Sequence, residues 1–165
     1  LNEQIKKLSK KKLQMKSGVE CEYFLISEDG SSIADPRDTQ SKPCYDQSAL
    51  MRRYELIKEI CDSMIQMGWK PYQNDHEDAN GQFEMNWDYT DALVTADRHV
   101  FFKYMVKTLA EKHGLRATFM PKPYHNLTGS LSSNFFAWRR WWSTSRDEVT
   151  LHVVSVQRRL RRAES

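Results

Sequence analysis

Gly18-Val19-Glu20-Cys21-Glu22-Tyr23-Phe24 places two acids, one residue apart, inside an otherwise apolar strand. Alternate side chains of a strand share a face, so Glu20 and Glu22 point the same way with their Cα atoms roughly 6 to 7 Å apart. A second acidic stretch is His76-Glu77-Asp78-Ala79-Asn80-Gly81-Gln82-Phe83-Glu84. From its end Gln82, Glu84 and Asn86 alternate against Phe83, Met85 and Trp87, which predicts another strand presenting a carboxylate beside amides. Crowded carboxylates repel one another unless a cation sits among them, and hard divalent ions such as Mg²⁺ or Mn²⁺ are the usual solution. Alone, Glu-x-Glu is a frequent pattern on solvated strand faces, so the pair gains meaning only from its company.

Working outward, strand and helix alternate. A lysine-rich helix over about 2–14 leads into the strand Val19 to Ile26, its Lys10-Lys11-Lys12 run forming a solvated face. Residues 28–42 are rich in Asp, Ser, Pro and Gly without a period, and read as a surface excursion. Leu50, Tyr54, Ile57, Cys61 and Met64 recur at spacings of four and three, predicting a helix that starts near Asp46 or Ser48 and stops before Gly68. Strands follow at 69–74 and 82–87. A second helix spans 91–113, with Leu93, Val100, Phe101, Tyr104, Met105 and Leu109 as its buried side, and a short strand covers 116–120 before Pro121 and Pro123.

At 165 residues the chain is one domain's length. No apolar run approaches the roughly 20 residues that span a bilayer, and a cytoplasmic enzyme fragment is the expectation. The first residue is Leu1, so the chain is expected to begin inside a longer protein. Cys21, Cys44 and Cys61 are odd in number and lack a Cys-x-x-Cys pair, which reads as reduced thiols rather than a disulfide frame or a zinc site. No Gly-x-x-x-x-Gly-Lys-Ser/Thr loop is present.

Taken together, these stretches resemble the catalytic domain of the glutamine synthetase family. Gly18 to Phe24 is similar to its Glu-x-Glu strand, and His76-Glu77 through Gly81-Gln82-Phe83-Glu84 to its second acidic element. The likeness continues in Ala96-Asp97, Lys103 and Ala117-Thr118-Phe119-Met120-Pro121-Lys122-Pro123, and ends in Thr128-Gly129-Ser130, about 115 of the 165 residues in family order. Lys42-Pro43-Cys44-Tyr45-Asp46 with Asp75 to Gly81 further resembles the branch that includes glutamate-methylamine ligases. The resemblance implies an α+β fold, a partial domain in which a largely antiparallel curved sheet is packed by helices. It implies ATP-dependent ligation of ammonia or a small amine to the γ-carboxyl of glutamate through a γ-glutamyl phosphate, with Mg²⁺ or Mn²⁺, in a homo-oligomer.

Carried over position by position, Glu22, Glu77 and Glu84 would ligate the ion nearer glutamate, and Glu20 would serve the ion nearer ATP. Thr128 and Gly129 fall at the glutamate pocket, Thr128 replacing the more usual asparagine, and Tyr89 falls near an aromatic position that packs on the nucleotide. His76 reads as an orienting partner of Glu77, His99 and His113 as helix-surface residues, His125 as a loop residue, and Lys122 as a phosphate contact or as part of a rigid Pro-flanked turn.

Residues 131–165 change vocabulary. Residues 1–130 hold 13 Lys and 5 Arg against 19 acids, net −1, whereas the last 35 positions hold 7 Arg, no Lys and 3 acids, net +4, with Trp138, Trp141 and Trp142 close together. The family continues Gly-Ser-Gly into a strand bearing histidines, one of them a metal ligand; here Gly129-Ser130 runs into Leu131-Ser132-Ser133-Asn134. The tail is therefore expected to be read out of frame or through an intron, leaving the second ion site incomplete and the isolated chain inactive. Two alternatives stand beside the ligase: a non-catalytic relative that keeps the acidic strands as scaffold, and a nucleic-acid-binding protein acting through the basic tail.

Overall fold

Strand β1 (Leu13–Ser27) organises the molecule. In the computed structural model side chains are described for residues 2–130, while Ser132–Arg140 and Thr150–Val154 are described as backbone. The tail's tryptophan and arginine side chains, and the nucleic-acid reading that rests on them, lie outside the described residues.

The chain runs α1 (Asn2–Lys10), β1, α2 (Gln47–Met51), α3 (Tyr54–Gln66), β2 (Pro71–His76), β3 (Gln82–Trp87), β4 (Thr90–Asp91), α4 (Ala92–Lys112), β5 (Leu115–Thr118), β6 (Ser132–Arg140) and β7 (Thr150–Val154). All strand pairs are antiparallel, in the order β2-β3-β1-β6-β7 with β4 and β5 also on β1. Phe24 pairs with Gln82 of β3 and Thr118 of β5, and Ser17 with Thr90 of β4 and Phe136 of β6. Each β1 residue has two edges, so β3 and β4 share one edge and β5 and β6 the other. The expected α+β class, an antiparallel sheet packed by helices as a partial domain, is what the chain adopts.

Alternation along β1 divides its side chains between two environments. Val19, Cys21, Tyr23 and Leu25 join Phe83, Met85 and Trp87 of β3 in the main core, which α3 closes with Leu56, Ile57, Ile60 and Met64 and α4 with Phe102, Met105, Val106, Leu109 and Ala110. Phe24 and Ile26 face the other way and pack with Ala79, Tyr124 and Leu127. Each large apolar side chain fully buried in this way stabilises the fold by about 1.5–3 kcal/mol. Helices therefore cover one face of β1 and β3, and the face bearing Glu20, Glu22 and Glu84 lies opposite them.

Several elements differ from expectation. The first helix ends at Lys10, because Lys12 takes a left-handed φ of 57° and the chain turns into a strand six residues earlier than expected. The helix expected from Asp46 is two: Asp46 caps α2 by accepting from the Ser48 N–H at 2.9 Å, and the chain breaks at Arg52-Arg53 before α3 begins. Leu56 and Ile60 replace Tyr54 in the buried stripe, Tyr54 being exposed. On α4, Leu93, Val100, Phe101 and Tyr104 are exposed, and Ala92, Thr95, Phe102, Val106 and Ala110 are buried with the expected Met105 and Leu109. That helix is apolar on nearly every side, so periodicity offered two stripes and the sheet selected the other. His99 is half-buried rather than on the surface, its Nδ1 3.8 Å from Cys21 Sγ, and burial, then Lys103, pulls its pKa down to about 4. All three cysteines are free.

Candidate metal centre

β1 and β3 meet in a register that sets Glu22 directly opposite Glu84, Glu20 opposite Asn86 and Phe24 opposite Gln82. Directly opposed residues of antiparallel strands bring their Cβ atoms to about 4.5–5.5 Å. The third acid comes from the β2–β3 hairpin. Gly81, at φ 75°, lets residues 77–81 fold back over the sheet, and a side chain there would meet Ile33 at 2.9 Å. Glu77 thereby joins the strand pair. One carboxylate oxygen each of Glu22, Glu77 and Glu84 lies within 4.8 Å of the other two.

Amides hold the acids in place. Gln82 Nε2 donates to Glu22 Oε2 at 2.6 Å and to Ser130 Oγ at 3.2 Å, while its Oε1 accepts from the Ala79 N–H at 3.0 Å. Asn86 Nδ2 donates to Glu84 Oε1 at 2.7 Å, and its buried Oδ1 has no hydrogen-bond partner among the described residues. Burial, then Glu22 and Asp75, pushes the Glu77 carboxyl up to about 7. Burial also raises Glu84 to about 7, with Glu77, Glu20 and Asp75 adding to it against the Asn86 hydrogen bond. Three hard oxygen donors, half-buried, mutually repelling and beside an orphaned amide oxygen, fit a divalent cation.

Among the other expected site residues, Glu20 shares the face but stands outside the 4.8 Å group. Thr128 Oγ1 donates to Asp78 Oδ2 at 3.0 Å, which docks Thr128-Gly129-Ser130 on the hairpin next to Glu77. Gly129 passes so close to the chain at Pro121 that a Cβ would lie 2.4 Å from its carbonyl oxygen, which the Ser130 N–H meets at 2.8 Å. Tyr89 is 63% exposed and sits over Gly18, about 13 Å along the strand from Glu22. The register places Ser133 opposite Glu20 on the β6 side, in the stretch where the sequence lacks the histidines that the resemblance implies.

His76, expected as an orienting partner of Glu77, bonds the Glu77 main chain and a second, unexpected partner. Its Nδ1 lies 2.8 Å from the Glu77 carbonyl oxygen and its Nε2 2.7 Å from Asp38 Oδ2, with both side chains essentially inaccessible. Asp38 belongs to the excursion 28–42, which is a correction to its reading as surface. Asp35 and Asp38 are 4% and 2% exposed, Ile33 bridges Ile26, and Asp35 pairs with Arg52. A segment without hydrophobic period carries no sequence signal that its acids turn inward.

An open antiparallel sheet, helices on one face and clustered acids on the other, places the chain among α+β proteins that present carboxylates from paired strands and a hairpin. Within that class the chain belongs to the glutamine synthetase family: residues 1–133 match "Glutamine synthetase, catalytic domain". It is 72% identical over 118 residues to a glutamine synthetase of Rhizobium meliloti, covering 72% of this chain and 27% of that protein. It is 40% identical over 132 residues to a glutamate–methylamine ligase of Methyloversatilis universalis, covering 79% and 30%. Among solved structures it resembles a GmaS/ADP complex with a TM-score of 0.83 and 62% identity, covering 85% of this chain and 33% of that one. The chain thus spans under a third of the length of the curated relatives it matches.

Proposed function

We propose that this chain carries the glutamate-side ion site of an ATP-dependent carbon–nitrogen ligase joining ammonia or a small amine to the γ-carboxyl of glutamate. The observation that carries the reading is the convergence of Glu22, Glu77 and Glu84 within 4.8 Å on the open face of the sheet. The names of the relatives, glutamine synthetase and glutamate–methylamine ligase, and the ADP of the similar complex support the substrate classes.

A carboxylate is a poor electrophile toward an amine, so a phosphoryl group must first be transferred to it, and in such transfers positioning and electrostatics supply most of the catalysis. Glu22, Glu77 and Glu84 would hold Mg²⁺ or Mn²⁺ through one oxygen each. When bound, the ion offsets the negative charge that a substrate carboxylate and a transferring phosphoryl group bring to this acidic face. Gln82 fixes the Glu22 carboxylate and ties it to Ser130, so Thr128 and Gly129 flank the side on which glutamate would lie. Tyr89 offers an exposed ring suited to stacking on a base. Glu20 serves the ATP side, and with Ser133 across from it that side is incomplete, so the isolated chain does not turn over. Homo-oligomeric assembly and a cytoplasmic location belong to the same proposal; no described helix is long and apolar enough to cross a membrane.

A graft tests this reading. Residues 16–130 placed at the matching positions of the Rhizobium meliloti relative, supplied with glutamate, ATP, Mg²⁺ and hydroxylamine, should form γ-glutamyl hydroxamate, and Glu22→Gln should abolish it. A non-catalytic relative is the second reading, favoured by Ser133 opposite Glu20; an inactive graft that folds and binds ions like its parent would put the defect within residues 16–130 and favour it independently.

A further inference from the structure

We propose that Asp38 is the positioning residue of the ion site, the group that sets Glu77 at binding distance from Glu22 and Glu84; the inference rests on that trio being an ion site. The hairpin closes on itself through the Glu77 N–H to the Gln82 carbonyl at 2.9 Å and the Gln82 N–H to the Ala79 carbonyl at 3.0 Å. Those bonds shape the turn. Its side-chain anchorage to the excursion beneath it centres on Asp38, whose Oδ2 accepts from His76 Nε2 at 2.7 Å and the Gly81 N–H at 2.6 Å, and whose Oδ1 accepts from Asn80 Nδ2 at 3.0 Å, with Asn80 Nδ2 also donating to the Gln40 carbonyl at 3.1 Å.

His76 stands at the entrance of the hairpin and Gly81 at its exit, so one carboxylate grips both ends of the five-residue loop that carries Glu77. The imidazole extends that grip, because its Nδ1 meets the carbonyl oxygen of Glu77 itself at 2.8 Å. A buried carboxylate is tolerated only while its donors surround it, so each bond reinforces the others. Asp38 is outside the carboxylate trio and acts on the ion only through the hairpin. Asp35 supplies an internal contrast: it lies on the same excursion and is 4% exposed against 2% for Asp38, yet its carboxylate bonds Arg52 and the Arg37 N–H rather than the hairpin.

The experiment measures Mn²⁺ dissociation constants by electron paramagnetic resonance for the wild-type 165-residue chain, Asp38→Asn, Asp35→Asn and His76→Gln, alongside melting temperatures. The expected result is a weakening of about 10–100-fold in Asp38→Asn, the range typical of groups that orient metal ligands. His76→Gln should weaken binding in the same direction, and Asp35→Asn should lower the melting temperature while leaving Mn²⁺ affinity unchanged. Wild-type affinity in a folded Asp38→Asn would overturn the inference, as would an equal loss in Asp35→Asn. Should Asp38→Asn not fold, His76→Gln decides: unchanged affinity there overturns the assignment. A wild-type chain that binds no Mn²⁺ overturns the ion-site reading, and this inference with it.

Discussion

Glu77 and Glu84 are held in a state of tension that a cation would relieve. Both carboxyls are raised from the ordinary glutamate value of 4.5 to about 7, burial being the largest cause in each. Between those limits the folded, ion-free protein keeps protons that the unfolded chain has released, so stability from these groups is present at low pH and is lost as pH rises through about 7. Thermal melts in a chelator should therefore fall between about pH 5 and pH 8, and Glu84→Gln should flatten that fall while raising stability at pH 8 by about 1 kcal/mol after allowance for partial solvation. Ion binding displaces the same protons, so Mn²⁺ affinity should climb across the same interval, read by calorimetric titration at several pH values. Strand alternation made the shared face of Glu20 and Glu22 legible in the sequence, and that of Glu84 with Gln82 and Asn86; joining the two strands and adding Glu77 took the family resemblance. Asp38 was illegible, because its burial arises from tertiary contact with a hairpin some forty positions away.

At the scale of elements, α4 and the Thr128-Gly129-Ser130 segment carry the sharpest consequences. Phe102 is fully buried, with ring centroids 5.0 Å from Trp87 and 6.2 Å from both Tyr23 and Phe119. Phe102→Ala should cost about 3–5 kcal/mol in urea unfolding, whereas Val100→Ala, on the exposed side, should change stability by less than about 0.5 kcal/mol. Near-equal losses would mean that the helix packs through the other stripe. Gly129→Ala would force a Cβ against the Pro121 carbonyl oxygen and should cost about 1–3 kcal/mol while displacing the segment from the hairpin. Element type was legible for β1, β3, α3 and α4, where spacing or alternation is sustained. What periodicity could not supply was the inner face of a helix apolar on most sides, or the break at Arg52-Arg53, where no Gly or Pro announces it.

For the whole molecule, β1 is the shared strand: β3 and β4 line one of its edges, β5 and β6 the other, and the strand carries core residues on one face and acids on the opposite one. The face that folds the protein is thus separate from the face that would bind, which is why the acids could be substituted without emptying the core. Thiol chemistry should report that layering. Cys44 is exposed, Cys61 intermediate and Cys21 buried with its thiol pushed up to about 12, so Ellman's reagent should titrate Cys44 fast, Cys61 slowly and Cys21 only after unfolding. Whether three carboxylates from β1, β3 and the β2–β3 hairpin form one divalent-ion site can be read from crystals grown with Mn²⁺ and measured at the manganese edge. An anomalous peak should lie within about 2.0–2.3 Å of oxygens from Glu22, Glu77 and Glu84. A map at full Mn²⁺ loading with no peak among those three residues would contradict the three-carboxylate site.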